Sequence, residues 1–407
     1  MNHSRRDTRL LFATRIVRLY AYGFLSVVLA LYLAEVGLAE AQIGLLLTLT
    51  LAGDASVTLW ITTTADRIGR RRMLLLGAGL MILAGGVFLI TRNPILLTLA
   101  AIVGVISPSG NEIGPFLSIE QAGLTQLVSD DRRTSVFAWY NLVGSFATAT
   151  GALSGGWLAK GLQNGGMTAL ASYRVVLAGY ALAGLVLVFC FLSLTSDIEV
   201  ADKSAIVKRT FGLHKSRGVV IKLSSLFALD AFAGGLIIQS MMAFWFHIKF
   251  GIDTGTIGSI FFGANILAGI SALLAVPLSK KIGLIKTMVF THLPSNILLI
   301  LVPLMPNLPL AIAVLLARFS ISQMDVPTRQ SYTMAVVTPD ERSAASGVTS
   351  IARSIGAAIS PTLTGLFLGV PALISAPFFL CGGLKIVYDL LLFREFRAVK
   401  PPEEKES

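Results

Sequence analysis

The chain has 407 residues, of which 54% are hydrophobic and 14% charged. Soluble domains carry about 25% charged residues, so most of this surface must face lipid and no long segment is polar enough to be a soluble domain. The net charge of +11 does not signal nucleic acid, because the basic residues fall in short clusters between apolar runs, which is how membrane topology is encoded.

In chain order, Met1 to Arg9 is polar and basic and reads as a cytoplasmic tail. The apolar run behind it is too long, and wrongly flanked, for a cleaved signal. A helix needs about 20 apolar residues to cross the hydrocarbon core. The runs at 10–34, 42–65, 73–91, 95–120, 134–159 and 173–195 meet that demand and predict a six-helix bundle over 1–195. The interval 196–219 is the longest polar one and reads as a cytoplasmic linker. Six further runs, at 220–246, 256–278, 284–304, 309–333, 343–369 and 372–393, predict a second bundle with a cytoplasmic tail over 220–407. Backbone groups in lipid must be satisfied internally, so these runs are helices, and they lack the alternation of barrel strands. With the N-terminus inside, the inner segments hold clusters such as Arg5, Arg6, Arg9; Arg67, Arg70, Arg71, Arg72; and Lys280, Lys281, Lys286. The outer segments hold only Arg92, Lys160, Arg174 and Lys249. That bias places both termini in the cytoplasm, and the chain is expected in the cell (inner) membrane. Cys190 and Cys381 sit inside apolar runs as small hydrophobes. His3, His214, His247 and His292 are scattered, with no metal-ligand spacing.

The two halves repeat. An offset of 214 residues puts Gly37 over Gly251, Ile43-Gly44 over Ile257-Gly258, and Gly69 over Gly283. Further on, an offset of 209 puts Gln121 over Gln330, Ser145 over Ser354 and Gly156 over Gly365. The nearly constant register predicts parallel six-helix repeats, related by an axis along the membrane normal.

Between the second and third spans stands Ala65-Asp66-Arg67-Ile68-Gly69-Arg70-Arg71-Arg72. It is similar to G-x-L-A-D-R-x-G-R-R, the cytoplasmic signature of the major facilitator superfamily, with Thr62 in place of the Gly and Thr64 in place of the Leu. The chain thus resembles that superfamily over nearly its whole length. The resemblance implies an all-α membrane fold of 12 transmembrane helices in two pseudo-symmetric bundles, usually monomeric. It implies a role in conformational switching for Asp66, Gly69 and Arg70. The physical reading agrees: Gly69 can take the turn that stops a helix, and the arginines suit a helix C-terminus. The fifth span holds Gly151-Ala152-Leu153-Ser154-Gly155-Gly156, which resembles the end of the drug:proton antiporter signature G-P-x-x-G-G with Ala152 for its Pro. Small residues at four-residue spacing are equally a helix-packing device.

Charged side chains at the bilayer centre cost about 2.5–3.5 kcal/mol on insertion scales, so each needs a reason. In the tenth span Arg318, Ser322, Asp325 and Arg329 share one helix face. Shifted by 209, that face falls on Ser109, Ile113, Phe116 and Glu120 of the fourth span, with Glu112 at its border. The expectation is that Glu112, Arg318 and Asp325 lie near a substrate or coupling-ion site, and that Glu120 and Arg329 form an inner gate pair. The alternative is static ion pairs within the protein. Asp54, with Thr50, Thr58 and Thr62 at four-residue steps, is a candidate proton path, because a carboxyl away from water is cheaper neutral than charged. The alternative is hydroxyls bonded to their own helix. Tyr22, Asp230, Arg15, Arg18 and Trp245 are further lining candidates. Arg15 and Arg18 are expected to snorkel to the inner interface, and Phe244-Trp245-Phe246 to sit in an interfacial belt. Lys385 and Asp389 form an i,i+4 pair expected to be structural.

No G-x-x-x-x-G-K-[ST] phosphate loop is present. The chain is therefore expected to carry out secondary transport of a small solute, not catalysis, with no cofactor, no metal and no nucleic-acid partner. The leading expectation is proton-coupled efflux of drug-like compounds or metabolites by antiport. The alternative is an importer or facilitator of a small organic anion, using the arginines of the tenth span. His292 is the one faint enzymatic candidate, and it has no carboxylate near it in sequence.

Overall fold

The computed structural model describes residues 2–112, 114–199, 214–338 and 341–399. Ile113, most of the predicted linker and the end of the C-terminal tail therefore lie outside the described residues. Among those described, the fold is all helical, with no strand. Every predicted span is met by helix: α1 (Asn2–Ser26) and α2 (Leu29–Glu35), α3 (Glu40–Ile68), α4 (Arg70–Ile90), α5 (Pro94–Val103) and α6 (Phe116–Leu127), α7 (Asp130–Asn164), and α8 (Ala169–Leu192). Then come α9 (Arg217–Gly235) and α10 (Gln239–Phe250), α11 (Thr254–Ile282), α12 (Leu284–Leu301), α13 (Leu308–Phe319) and α14 (Asp325–Ala335), α15 (Arg342–Leu368), and α16 (Ala376–Phe396). By length and composition alone, eight described helical segments, with α9 and α10 counted together, could each cross a membrane, or nine if α1 and α2, bent by 44°, count as one. Residues from Asn2 onward are already helical, so the expected tail is part of the first helix. Asp7 anchors it by accepting from the Thr195 amide and hydroxyl.

The four interrupted spans are the first, fourth, seventh and tenth. Their breaks are chemically maintained. At the break between α9 and α10, Ser360 and Thr364 of α15 donate to the carbonyls of Phe232 and Leu236, at 2.5 and 2.6 Å. A carbonyl freed from a helix ladder needs such a donor where water is absent. In the loop between α5 and α6, Tyr180 donates to the carbonyl of Val105, and Ser107 donates to that of Asn111 at 2.8 Å.

The internal repeat is visible in the element boundaries. α3 and α4 recur 214 residues later as α11 and α12, and α6 recurs 209 residues later as α14. Gly69 and Gly283, each separating the paired helices, have φ of 124° and 87°, a region open to glycine and strained for other residues. The change of register falls inside the fourth span, where the starts of α5 and α6 lie five residues further apart than those of α13 and α14.

The described chain divides into two compact units, 1–208 with 239–262, and 209–238 with 263–407. In the first, α1 lies against α7 along a glycine seam. A Cβ on Gly151 would stand 2.1 Å from the carbonyl oxygen of Tyr20, and one on Gly155 would stand 2.2 Å from that of Phe24. The antiporter-like run is therefore used for backbone-to-backbone packing. Gly155→Val should destabilise the first unit by about 1–3 kcal/mol or more, the cost of overpacking. Thermal unfolding in detergent measures this, with the open Gly161→Val as the silent control.

Candidate functional site

Among the described residues, each unit holds a buried ionic cluster. In the first, α1 presents Arg15 and Arg18 on one face. Arg18 is fully buried and clasps both oxygens of Glu120 on α6, at 2.8 Å each, while its Nε donates to Glu112 at 2.9 Å. Arg15 reaches the other oxygen of Glu112 at 2.5 Å and the Tyr140 carbonyl at 2.8 Å. Thr14 and the Tyr140 hydroxyl complete the shell of Glu120. Tyr22, one turn on from Arg18, is fully buried beside them. The expectation that Arg15 and Arg18 snorkel to the interface is thus wrong. Two carboxylates on other elements hold them inside, and such bidentate charge-assisted bonds are the strong ones.

Asp54 lies apart from that balance. Gly53 lets α3 approach α5 so closely that a Cβ there would stand 2.1 Å from the Ile102 carbonyl oxygen. The contact brings Asp54 towards Gly114 and Glu112. One oxygen of Asp54 is buried with no hydrogen-bond partner. Of the threonine stripe, Thr50 and Thr62 donate to the carbonyls of Leu46 and Thr58 on their own helix, and Thr58 lies against the Asp54 carboxyl.

In the second unit Asp230 of α9 is a hub. It accepts from Lys385 at 2.5 Å, Arg353 at 3.1 Å and Arg329 at 3.3 Å. Arg329 also binds Asp325, one turn back on α14, at 2.7 Å. Lys385 is therefore taken up by Asp230, and Asp389 binds His292 and Asn296 of α12, each at 2.9 Å. This corrects the expected Lys385–Asp389 pair and gives His292 the carboxylate it lacks in sequence. The expected gate residues Glu120 and Arg329 are each neutralised inside their own unit. Trp245 is 1% exposed, so it is packed inside and not in an interfacial belt.

Arg318 stands out. It is 8% exposed, lies over the Phe319 ring at 4.8 Å, and has no ion pair among the described residues. Its Nε and the hydroxyl of Ser322, one turn further along the same break, are both buried without a partner. A buried guanidinium without an ion pair is costly, and unsatisfied donors on both sides of one helix break suit an anion.

At the junction of α3 and α4, Gly69 turns the chain so that α4 begins at once. Asp66 binds Arg70 at 2.9 Å, and the Arg70 guanidinium donates to the Ile198 carbonyl at 3.0 Å. The free amides of Arg70 and Arg71 donate to Glu199 at 2.8 and 3.1 Å. Sequence reasoning missed Glu199, although a helix N-terminus without an acidic residue in its first turn calls for an anion. It missed Glu341 for the same reason. That carboxylate accepts from the amides of His214, Lys215 and Ser216, ahead of α9, and from the Thr338 hydroxyl.

Among the described residues, membrane-length apolar helices with charged clusters buried inside each unit are the make-up of an integral membrane protein. The profile of the Major Facilitator Superfamily matches residues 11–249 and 223–407, and the chain belongs to that family. It is a secondary transporter. An uncharacterized membrane protein of Saccharomyces cerevisiae is 30% identical to it over 436 residues, covering 98% of this chain and 96% of the relative. Among solved structures, a bacterial homologue of the human lysosomal transporter Spinster superimposes with a TM-score of 0.73 at 17% identity, covering 97% of this chain and 95% of its own. A D-xylose–proton symporter gives 0.72 at 15%, covering 98% and 99%. The human organic anion transporter MFSD10 gives 0.63 at 17%, covering 96% and 99%. At these identities the solved structures share the fold alone.

Glu341 lies outside the spans and titrates in an accessible window. Hydrogen bonds from Ser216, and next from the His214 amide, hold its carboxyl down at about 2, against an ordinary 4.5. A carboxyl lowered on folding stabilises the protein above its unfolded value and stops doing so as pH falls through the folded one. The melting temperature of the wild type should therefore fall as pH drops from 4.5 towards 2, and Glu341→Gln should flatten that part of the profile. Parallel profiles would reject the capping role.

Proposed function

We propose that the chain is a proton-coupled transporter of small organic anions, in which Arg318 and Ser322 receive the anionic group and Asp54 carries the proton. One observation carries the reading: Arg318 is a buried cation with no ion pair among the described residues, its Nε has no partner, and Asp325, the carboxylate that acts on it through space, is already bonded to Arg329. The charged groups around it are already matched, since Asp230, Asp325 and Asp389 face Arg329, Arg353 and Lys385. The first unit has the opposite remainder. Glu112 and Glu120 match Arg15 and Arg18, and Asp54 has no ion pair among the described residues. An uncompensated carboxyl away from water is suited to exchange a proton. Glu112 holds the arginines of the first unit in place, and Tyr22 and Asp230 shape the same polar interiors. Asp66, Gly69 and Arg70, clamped by Glu199, serve the change of conformation.

Efflux of drug-like compounds has no comparable support, because the glycine run that suggested it is accounted for by packing of α1 on α7. Direction follows from which gradient drives net flux.

Purified protein in vesicles should take up small mono- or dicarboxylates in preference to neutral sugars and organic cations. Arg318→Gln should lower kcat/KM for the anion by about 10- to 100-fold, as expected for loss of a charge-assisted hydrogen bond, and Arg318→Lys should retain part of it. Preference for cations, or full activity in Arg318→Gln, would refute the anion reading.

Asp54→Asn tests the coupling separately. Accumulation driven by an imposed pH gradient should disappear, while exchange of labelled for unlabelled solute at equal pH continues. Undiminished pH-driven accumulation would remove Asp54 from the proton path.

A further inference from the structure

The second unit contains a buried titratable pair that the proposed mechanism leaves unused. His292 of α12 is 4% exposed, and Asp389 of α16 is fully buried. Imidazole Nδ1 lies 2.9 Å from one carboxylate oxygen, and the Asn296 amide donates to the other at 2.9 Å. Tyr388 packs edge-on against the imidazole, with ring centres 6.0 Å apart. Two oxygens on the same stretch of α12, Ser295 Oγ and Asn296 Oδ1, are buried without a hydrogen-bond partner. A histidine, a carboxylate and unsatisfied polar oxygens enclosed between two helices are expensive to bury. A static packing role would be filled more cheaply by apolar side chains.

We propose that the His292–Asp389 pair is a second proton-binding site, wired to the Asp230 hub through Lys385. With Asp389 ionised its carboxylate only accepts, so the neutral imidazole then donates from Nδ1 and its Nε2 is the atom that takes the incoming proton. Proton uptake turns a neutral ring beside a carboxylate into an imidazolium–carboxylate pair. Lys385 stands one turn before Asp389 on α16 and is bonded to Asp230. While the ring is neutral, Lys385 stays bonded to Asp230 and acts on Asp389 only through space. Once the ring is charged, Asp389 is answered locally and Asp230 faces Lys385, Arg329 and Arg353 alone. The elements packed on α12 contribute the remaining charges: Asp325 and Arg329 from α14, and Arg318 from α13. A proton at His292 therefore adds a positive charge to the unit that holds the proposed anion site, so proton and anion favour each other's binding. This linkage rests on the anion reading, whereas the proton site itself does not.

The test needs no substrate. The chain contains four histidines, so 15N-histidine-labelled protein in lipid vesicles can be titrated from about pH 5 to 9 by solid-state NMR, the range over which imidazoles change charge. His292 is assigned by the signal that His292→Gln removes, or, if that variant does not fold, by elimination after substituting His3, His214 and His247. The expected result is conversion of His292 from its Nδ1–H form to imidazolium within the range. Asp389→Asn should move the midpoint by about one to three pH units, and Lys385→Gln should move it the opposite way. A ring that keeps one form throughout, or a midpoint indifferent to Asp389→Asn, or shifts of the same sign in both variants, overturns the proposal. Failure to transport anions, with the titration intact, would count against the substrate reading alone.

Discussion

The fold depends on charge neutralisation without water. Each compact unit buries several ionised side chains, and nearly every one is answered by a partner from another helix of the same unit. Leaving one member of such a pair unanswered costs about 3–5 kcal/mol, comparable to a large share of the total stability of a domain. The pairs therefore determine which helix faces point inward. Arg18 ties α1 to α6 through Glu120, and Lys385 ties α16 to α9 through Asp230. Against that background the two remainders, Arg318 and Asp54, acquire meaning.

Interrupted helices accompany these charges. A straight helix satisfies its own backbone and has little to offer a solute, whereas a break exposes amides and carbonyls to be used or capped. In this chain the caps are side-chain hydroxyls, Ser360 and Thr364 for α9 and Tyr180 for the loop after α5. The breaks are thereby stable features of the fold. They also place Glu112 in a loop, free of a helical ladder, and set Arg318 and Ser322 on either side of the point where helix gives way to turn.

The architecture is largely legible in the sequence. Apolar runs of membrane length predict where helix lies, and the 214- and 209-residue offsets anticipate equal element boundaries. The charged residues of the fourth and tenth spans are conspicuous because lipid cannot tolerate them. Pairing is the part that cannot be read. Periodicity places Arg18 on a face of α1 and Lys385 on a face of α16, but the partners Glu120 and Asp230 are 102 and 155 residues away. Sequence alone therefore sends Arg15 and Arg18 to the interface and matches Lys385 to its neighbour along the helix. Glu199 and Glu341 escape notice because an anion that caps a helix from a distant loop leaves no local pattern.

The five additional residues in the fourth span bear on how a duplicated fold becomes selective. Two identical repeats would offer a solute the same chemistry twice. In the second unit a short turn is flanked by a cation, Arg318, whereas in the first a longer stretch with serine, asparagine and glycine carries an acid, Glu112. The helices on both sides of that point keep matching boundaries, so the connection alone absorbs the difference.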